Sequence, residues 1–210
     1  MTVATLIQAC FDANAYAPTS PDCSAVVRGP DFQITTYNNG FKNVGFRNFE
    51  GGIVSADYRF ALEDVGLEGL GDDIALSANW YHLDTLEFST NGLASGLVVL
   101  EGEWGDSHDE VAINVNYRNG PFGAIVNWQW QSAALWDAQG APEFRNILGP
   151  DAYSITNLSL TYDVTEEVRA RFVVNNLFDD EPPYGTTGPD AIGVYDVFGR
   201  RFAVGLQARF

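Results

Sequence analysis

Apolar and polar residues alternate one by one along most of this chain. In the last stretch, Phe202, Val204, Leu206, Ala208 and Phe210 fall on one side, and Arg201, Ala203, Gly205, Gln207 and Arg209 on the other. A period of two marks a β-strand with unlike faces. The same alternation runs through Ile74–Tyr81, Val111–Arg118, Phe122–Gln131, Asn157–Asp163 and Val168–Asn175. In each, one set is Val, Ile, Leu, Ala and aromatics, and the other is rich in Asn, Gln, Ser, Arg and Asp. Upstream, Gln33–Tyr37 and Lys42–Phe60 read as one long extended stretch, bent at Asn38-Asn39-Gly40 and again at Gly51-Gly52. Val54, Ala56, Tyr58 and Phe60 take its apolar face, against Ile53, Ser55, Asp57 and Arg59. Alternation reports two faces but not the solvent each one meets. A sandwich would pack the apolar face on a core; a transmembrane barrel would turn it to lipid and the other to a wet lumen.

The connections predicted between these strands alternate in length. Ala61–Asp73 is medium, His82–Ser107 long, Asn119-Gly120-Pro121 tight, Ser132–Asp151 long, Asp163–Glu167 short, and the stretch after Asn175 long again. Long and short connections in alternation are what outer-membrane barrels show. The short-turn ends carry Tyr58, Phe60, Tyr117, Phe122, Tyr162 and Phe210, as an interfacial girdle would. Trp80, Trp128, Trp130 and Tyr153 sit toward the opposite end.

One ordered set of residues is more specific. NNLFDDEPP supplies Asn176, Leu177, Phe178, Asp179, Pro182 and Pro183; a polar loop follows, then Tyr195, Asp196, Gly199, Arg200 and a strand closing on Phe210. This resembles the C-terminal signature of TonB-dependent receptors, which are plugged barrels of roughly 22 strands. The resemblance implies an all-β, antiparallel, up-and-down transmembrane barrel segment of about seven strands at residues 32–210. Residues 1–31 would form an extracellular loop with a short helix and a Cys pair. It also implies a Gram-negative outer-membrane location and lipid around the barrel. The assembly machinery would recognise the terminal strand through Phe202, Val204, Leu206 and Phe210. Energy-coupled uptake of a siderophore, corrinoid or saccharide would follow, driven by an inner-membrane partner. With no energy-coupling box, plug or further strands in the sequence, the chain is expected to be a fragment, inactive alone.

Composition narrows the alternatives. The chain has 210 residues, and its 13% aromatics and 21 glycines against one Met favour strands over helices. No run reaches the ~18 apolar residues of a membrane helix. A net charge of −17 argues against a nucleic-acid partner, which needs clustered Lys and Arg. No Lys or Arg precedes Arg28, so Val3–Phe11 lacks the cationic start of a signal peptide and reads as an amphipathic helix in a loop. Cys10 and Cys23 flank a segment rich in Asp, Asn, Ser and Pro. A disulfide there would stabilise the fold by ~3 kcal/mol on the entropic model; the alternative is two separate thiols.

No catalytic, cofactor or metal constellation stands out. Asp106, His108, Asp109 and Glu110 crowd together but fall where a loop becomes a strand. His82 and His108 lie at opposite ends of the same predicted loop, and no Gly-x-Ser-x-Gly occurs. Trp104 and Trp136, in predicted loops, could stack on a ligand or simply pack. The competing function is a secreted β-sandwich that binds or cleaves carbohydrate with Trp and carboxylates. The ligand-contacting residues are not legible.

Overall fold

A computed structural model describes residues 4, 7, 8, 10, 21–38, 45–67, 69–140, 146–186 and 194–209. The fold is all-β and antiparallel. Its strands are β1 (Val26–Arg28), β2 (Ile34–Tyr37), β3 (Phe46–Ala61), β4 (Asp73–Ser89), β5 (Leu97–Val99), β6 (Asp109–Asn119), β7 (Phe122–Gln131), β8 (Tyr153–Asp163), β9 (Val168–Asn175) and β10 (Arg201–Ala208). Among the described residues no helix is long and apolar enough to cross a membrane, which says nothing of strands. Phe210, the bend at Asn39-Gly40, the loop around Gly188 and most of Val3–Phe11 lie outside the described residues.

The chain divides into two compact units, one of Met1–Phe49 with Leu86–Val99, the other of Glu50–Thr85 with Leu100–Phe210. In the first, β1 and β2 form a hairpin closed by Gly29 and Gln33, whose N–H and C=O are 2.8 Å apart. Phe32 takes a left-handed conformation at φ 63° to make that turn. Cys10 and Cys23 are joined by a disulfide, their Cα atoms 4.8 Å apart, and a helical turn at Pro21–Ser24 carries Cys23. The predicted long stretch from Gln33 is therefore corrected. Ile34–Tyr37 belongs to a separate hairpin, because the Gly-Pro-Asp-Phe turn gives it a local partner in Val26–Arg28.

The same unit corrects the predicted loop at His82–Ser107. Strand β4 continues to Ser89, and its last three residues pair with β5. Asn48 on β3 donates to Glu87 on β4 at 2.7 Å. Alternation hid this extension. Leu83 and Leu86 are three apart, so they fall on opposite faces of an extended strand, and both are buried. A strand apolar on both sides carries no period-two signal.

In the second unit the hydrogen-bonded order is β10-β9-β8-β7-β6-β4-β3, each strand beside its neighbour in sequence apart from the small β5. Strands β3 and β10 are the edges, and the sheet does not close on itself. Strand β3 runs unbroken through Gly51-Gly52. A Cβ at Gly51 would stand 2.6 Å from the His82 carbonyl oxygen, so glycine is needed there for close backbone approach. The tight turn between β6 and β7 has Gly120 at φ 51° followed by Pro121. Proline cannot take positive φ, so the loop is of the II′ kind, whose twist suits a two-residue hairpin.

Register makes the two faces continuous. Ile74 pairs with Tyr117, Leu76 with Val115, Ala78 with Ile113 and Trp80 with Val111. The series passes on through Ala124, Val126, Trp128 and Trp130 to Leu160 and Leu158, then Phe172 and Val174, then Val204 and Phe202. Directly paired residues share a face, so one apolar surface spans the sheet. Tight connections gather at one end of the strands (120–121 and 164–167), and long ones at the other (90–108, 132–152, 176–200).

Candidate functional site

The opposite face is built from the residues between those apolar ones, in cross-strand rows. Ser77, Asn114, Asn127 and Asn157 form one row across β4, β6, β7 and β8. The amide of Asn127 donates to Asn114 at 2.7 Å, and that of Asn157 to Asn127 at 3.4 Å. The Asn157 oxygen in turn accepts the backbone N–H of Asn176 at 3.0 Å. These amides satisfy one another, which is what part-buried polar groups require.

Asn176 anchors the family-like motif. It is fully buried at φ 54°, its side chain bonded to Asp180 twice, by donating to the carbonyl at 2.9 Å and accepting from the N–H at 2.8 Å. Asp179, also left-handed at φ 62°, accepts the Arg200 N–H at 2.8 Å across the long connection. Asp196 holds the Arg201 guanidinium by two bonds of 2.7 and 3.1 Å. Gly199, at φ 69°, lets the backbone pass close to Asp179. Leu177 donates its N–H to Thr156 at 2.7 Å, and Pro183 accepts from Thr186. The spacing of the motif thus has a physical cause. Its two halves clasp, fixing where β10 begins beside β9. Phe178 and Phe202 are exposed, as are Val204 and Leu206.

The motif also seats an aromatic cluster on the polar face at the long-connection end. Tyr195 and Tyr153 are buried and meet edge to face at 5.3 Å, with Trp104, Ile155, Val194 and Val197 around them. Burial pushes the Tyr195 hydroxyl above its ordinary pKa. Tyr153 pairs with Gln131, so it belongs to the polar face and not to a girdle on the apolar one. Trp80, Trp128 and Trp130 are on the apolar face, whereas Tyr153, at the same end of the strands, turns inward to the cluster. Trp104 packs against Trp136 at 5.8 Å, so the two rings meet each other.

Beside this cluster lies a cleft of about 480 Å³. Its floor is two further rows, Tyr81–Glu110–Gln131–Tyr153 and Asn79–Ala112–Gln129–Ile155. Ile53 and Val194 complete its walls. Two buried polar atoms of the cleft, Gln131 Nε2 and the Tyr153 hydroxyl, have no hydrogen-bond partner, and neither has Trp104 Nε1 in the neighbouring aromatic cluster. Sequence reading missed this site. Its residues are scattered over five strands, and only the polar-face alternation hinted at them.

The cluster of Asp106, His108, Asp109 and Glu110 does not converge. Asp109 bonds His82 Nδ1 at 2.8 Å and Trp80 Nε1 at 2.9 Å, while His108 Nδ1 meets the Leu83 carbonyl at 2.9 Å. His82 is therefore a strand residue bridging β4 to β6. The Ser132 hydroxyl accepts the Asp109 N–H at 3.2 Å. Among the described residues no group of three or more His, Cys, Asp or Glu could hold a metal. No family model matches the chain, and no curated protein matches it.

Proposed function

We propose that this chain forms the C-terminal wall of an outer-membrane barrel of the TonB-dependent receptor kind. The single observation that carries this is the apolar face. It extends in register over six strands, β4 and β6 to β10, and much of it is exposed. Leu76 and Phe172 are 37% and 38% exposed, and Val204 and Leu206 near the edge 79% and 77%. Burying each such side chain is worth about 1.5–3 kcal/mol, so a surface of this extent needs an apolar partner. Lipid fits it. Tyr58 and Phe60, Tyr117 and Phe122, and Tyr162 form an aromatic row at the tight-turn end. Trp80, Trp128 and Trp130 form another toward the far end. From Phe122 to Trp130 the strand rises ~26 Å, or ~20 Å once tilted, close to the band such barrels show.

In this reading the amide rows face a wet lumen and the long connections lie outside the cell. Further strands pair with the open edges of β3 and β10, since unpaired backbone groups cost several kcal/mol each in lipid. By its resemblance the receptor takes up a scarce solute, with a plug in its lumen and an inner-membrane partner supplying energy.

The test is refolding into vesicles of brominated lipid. Strong quenching of tryptophan fluorescence, reduced by replacing Trp80, Trp128 and Trp130 with Phe but not by replacing Trp104 and Trp136, is expected. A chain that stays monomeric in detergent-free buffer and is unquenched would sink the proposal and favour the secreted sandwich.

A further inference from the structure

We infer that the cleft over Glu110, Gln131 and Tyr153 binds an uncharged, hydroxyl-rich ligand of the oligosaccharide class and rejects anions. This names the class of solute for the receptor reading and rests on that reading for the cleft's place on the outer side. The volume is within the ~300–1,000 Å³ usual for ligand sites. The lining contains no Lys or Arg, and its one ionisable carboxylate is Glu110. The chain as a whole carries −17. An anionic solute such as a ferric catecholate would meet repulsion and no counter-charge.

Choosing between a cation and a neutral ligand depends on the unpaired groups. Of these, Gln131 and Tyr153 line the cleft; Gln131 Nε2 can only donate, and the Tyr153 hydroxyl is also free to donate. Tyr153 is more than nine-tenths buried and lines the cleft, so its hydroxyl is left without water as well as without a partner. A buried donor left unmade costs ~1–3 kcal/mol, and a cation offers it nothing. A ligand hydroxyl accepts from these donors and donates to Glu110 and to the carbonyls of Asn79 and Gln129. The aromatic rings of Tyr81 and Tyr153 supply an apolar surface with a polar tip, suited to a ring with hydroxyls at its rim. The amide row of Asn114, Asn127 and Asn157 is already self-paired and does not compete for the ligand.

The experiment probes the 210-residue chain, in detergent and inserted in vesicles, on an array of neutral and acidic oligosaccharides. Binding to neutral glycans is expected, with sialylated, sulfated and uronic ones at background. Tyr153→Phe keeps the ring packing and loses the hydroxyl, and should weaken binding about tenfold, as one buried hydrogen bond implies. Glu110→Gln, on an exposed strand position, should also weaken it, while Glu166→Gln in the tight turn should not. Equal binding of acidic glycans, no neutral glycan bound in either medium, or a Tyr153→Phe chain that binds like its parent overturns the inference. Brominated-lipid quenching separates the two claims: glycan binding without quenching removes the membrane reading, and quenching without glycan binding removes the ligand class alone.

Discussion

The two faces of one sheet differ in what completes them. The strands, hydrogen bonds and register are shared, yet the face of Asn114, Asn127 and Asn157 satisfies itself, side chain to side chain. The face of Val126, Leu158 and Leu160 has no such closure and depends on whatever solvent it meets. A polar row in a sheet can finish its own bonds because amides donate and accept. An apolar row gains only by leaving water. The difference teaches that the amide row is specified from within, whereas the apolar face is specified by an environment outside the chain.

The largest effect should come from charging the apolar face. Val126, between Val115 and Leu158, sits mid-strand. Val126→Arg should destabilise the vesicle-inserted chain by ~2–4 kcal/mol, the cost of a cation near the bilayer midplane. Asn116→Arg on the exposed opposite face should stay within about 0.5 kcal/mol. Urea unfolding in vesicles reads both. Equal losses on the two faces would erase the proposed asymmetry.

A smaller loss should follow from breaking the self-paired row. Asn157 both donates to Asn127 and accepts from the Asn176 N–H. Asn157→Ala leaves that N–H unpartnered and should cost ~1–3 kcal/mol. Hydrogen exchange at the Asn176 amide, protected in the parent, should quicken with it. No change in exchange would mean that water replaces the amide, and that the row is solvated rather than self-complete.

Least of all should depend on the ion pair at the tight-turn end. Arg59 donates to Asp73 at 2.7 Å, but its side chain is 73% exposed. Arg59→Gln should cost no more than about 0.5 kcal/mol, less in high salt. A loss that persists unscreened at 1 M salt would show this pair to be shielded from solvent.

Much of the second unit was legible because alternation is a local property. Each of β6, β7, β8 and β9 declares its faces within its own residues, and Gly120-Pro121 declares its turn. Both features act between residues one or two apart. Where two apolar faces coexisted, as at Leu83 and Leu86, the same signal fell silent and the end of β4 was read as loop. Gly51-Gly52 reads as a bend because glycine permits bending; the close approach of His82, 31 residues later, adds a need for space at Gly51 that no local pattern carries.

The motif from Asn176 to Arg200 was visible as residues but not as a mechanism. Its clasp joins Asp179 to Arg200 and Asn176 to Asn157, pairs set apart by 21 and 19 residues. The inward turn of Tyr153, the unpaired Gln131 and the cleft over five strands likewise depend on register. So the sequence alone determined which residues form strands and which chemistry each strand side carries, because both follow from neighbours along the backbone. Only the tertiary structure decided which rows align and which polar groups go unpaired, because those depend on contacts between residues far apart in the chain.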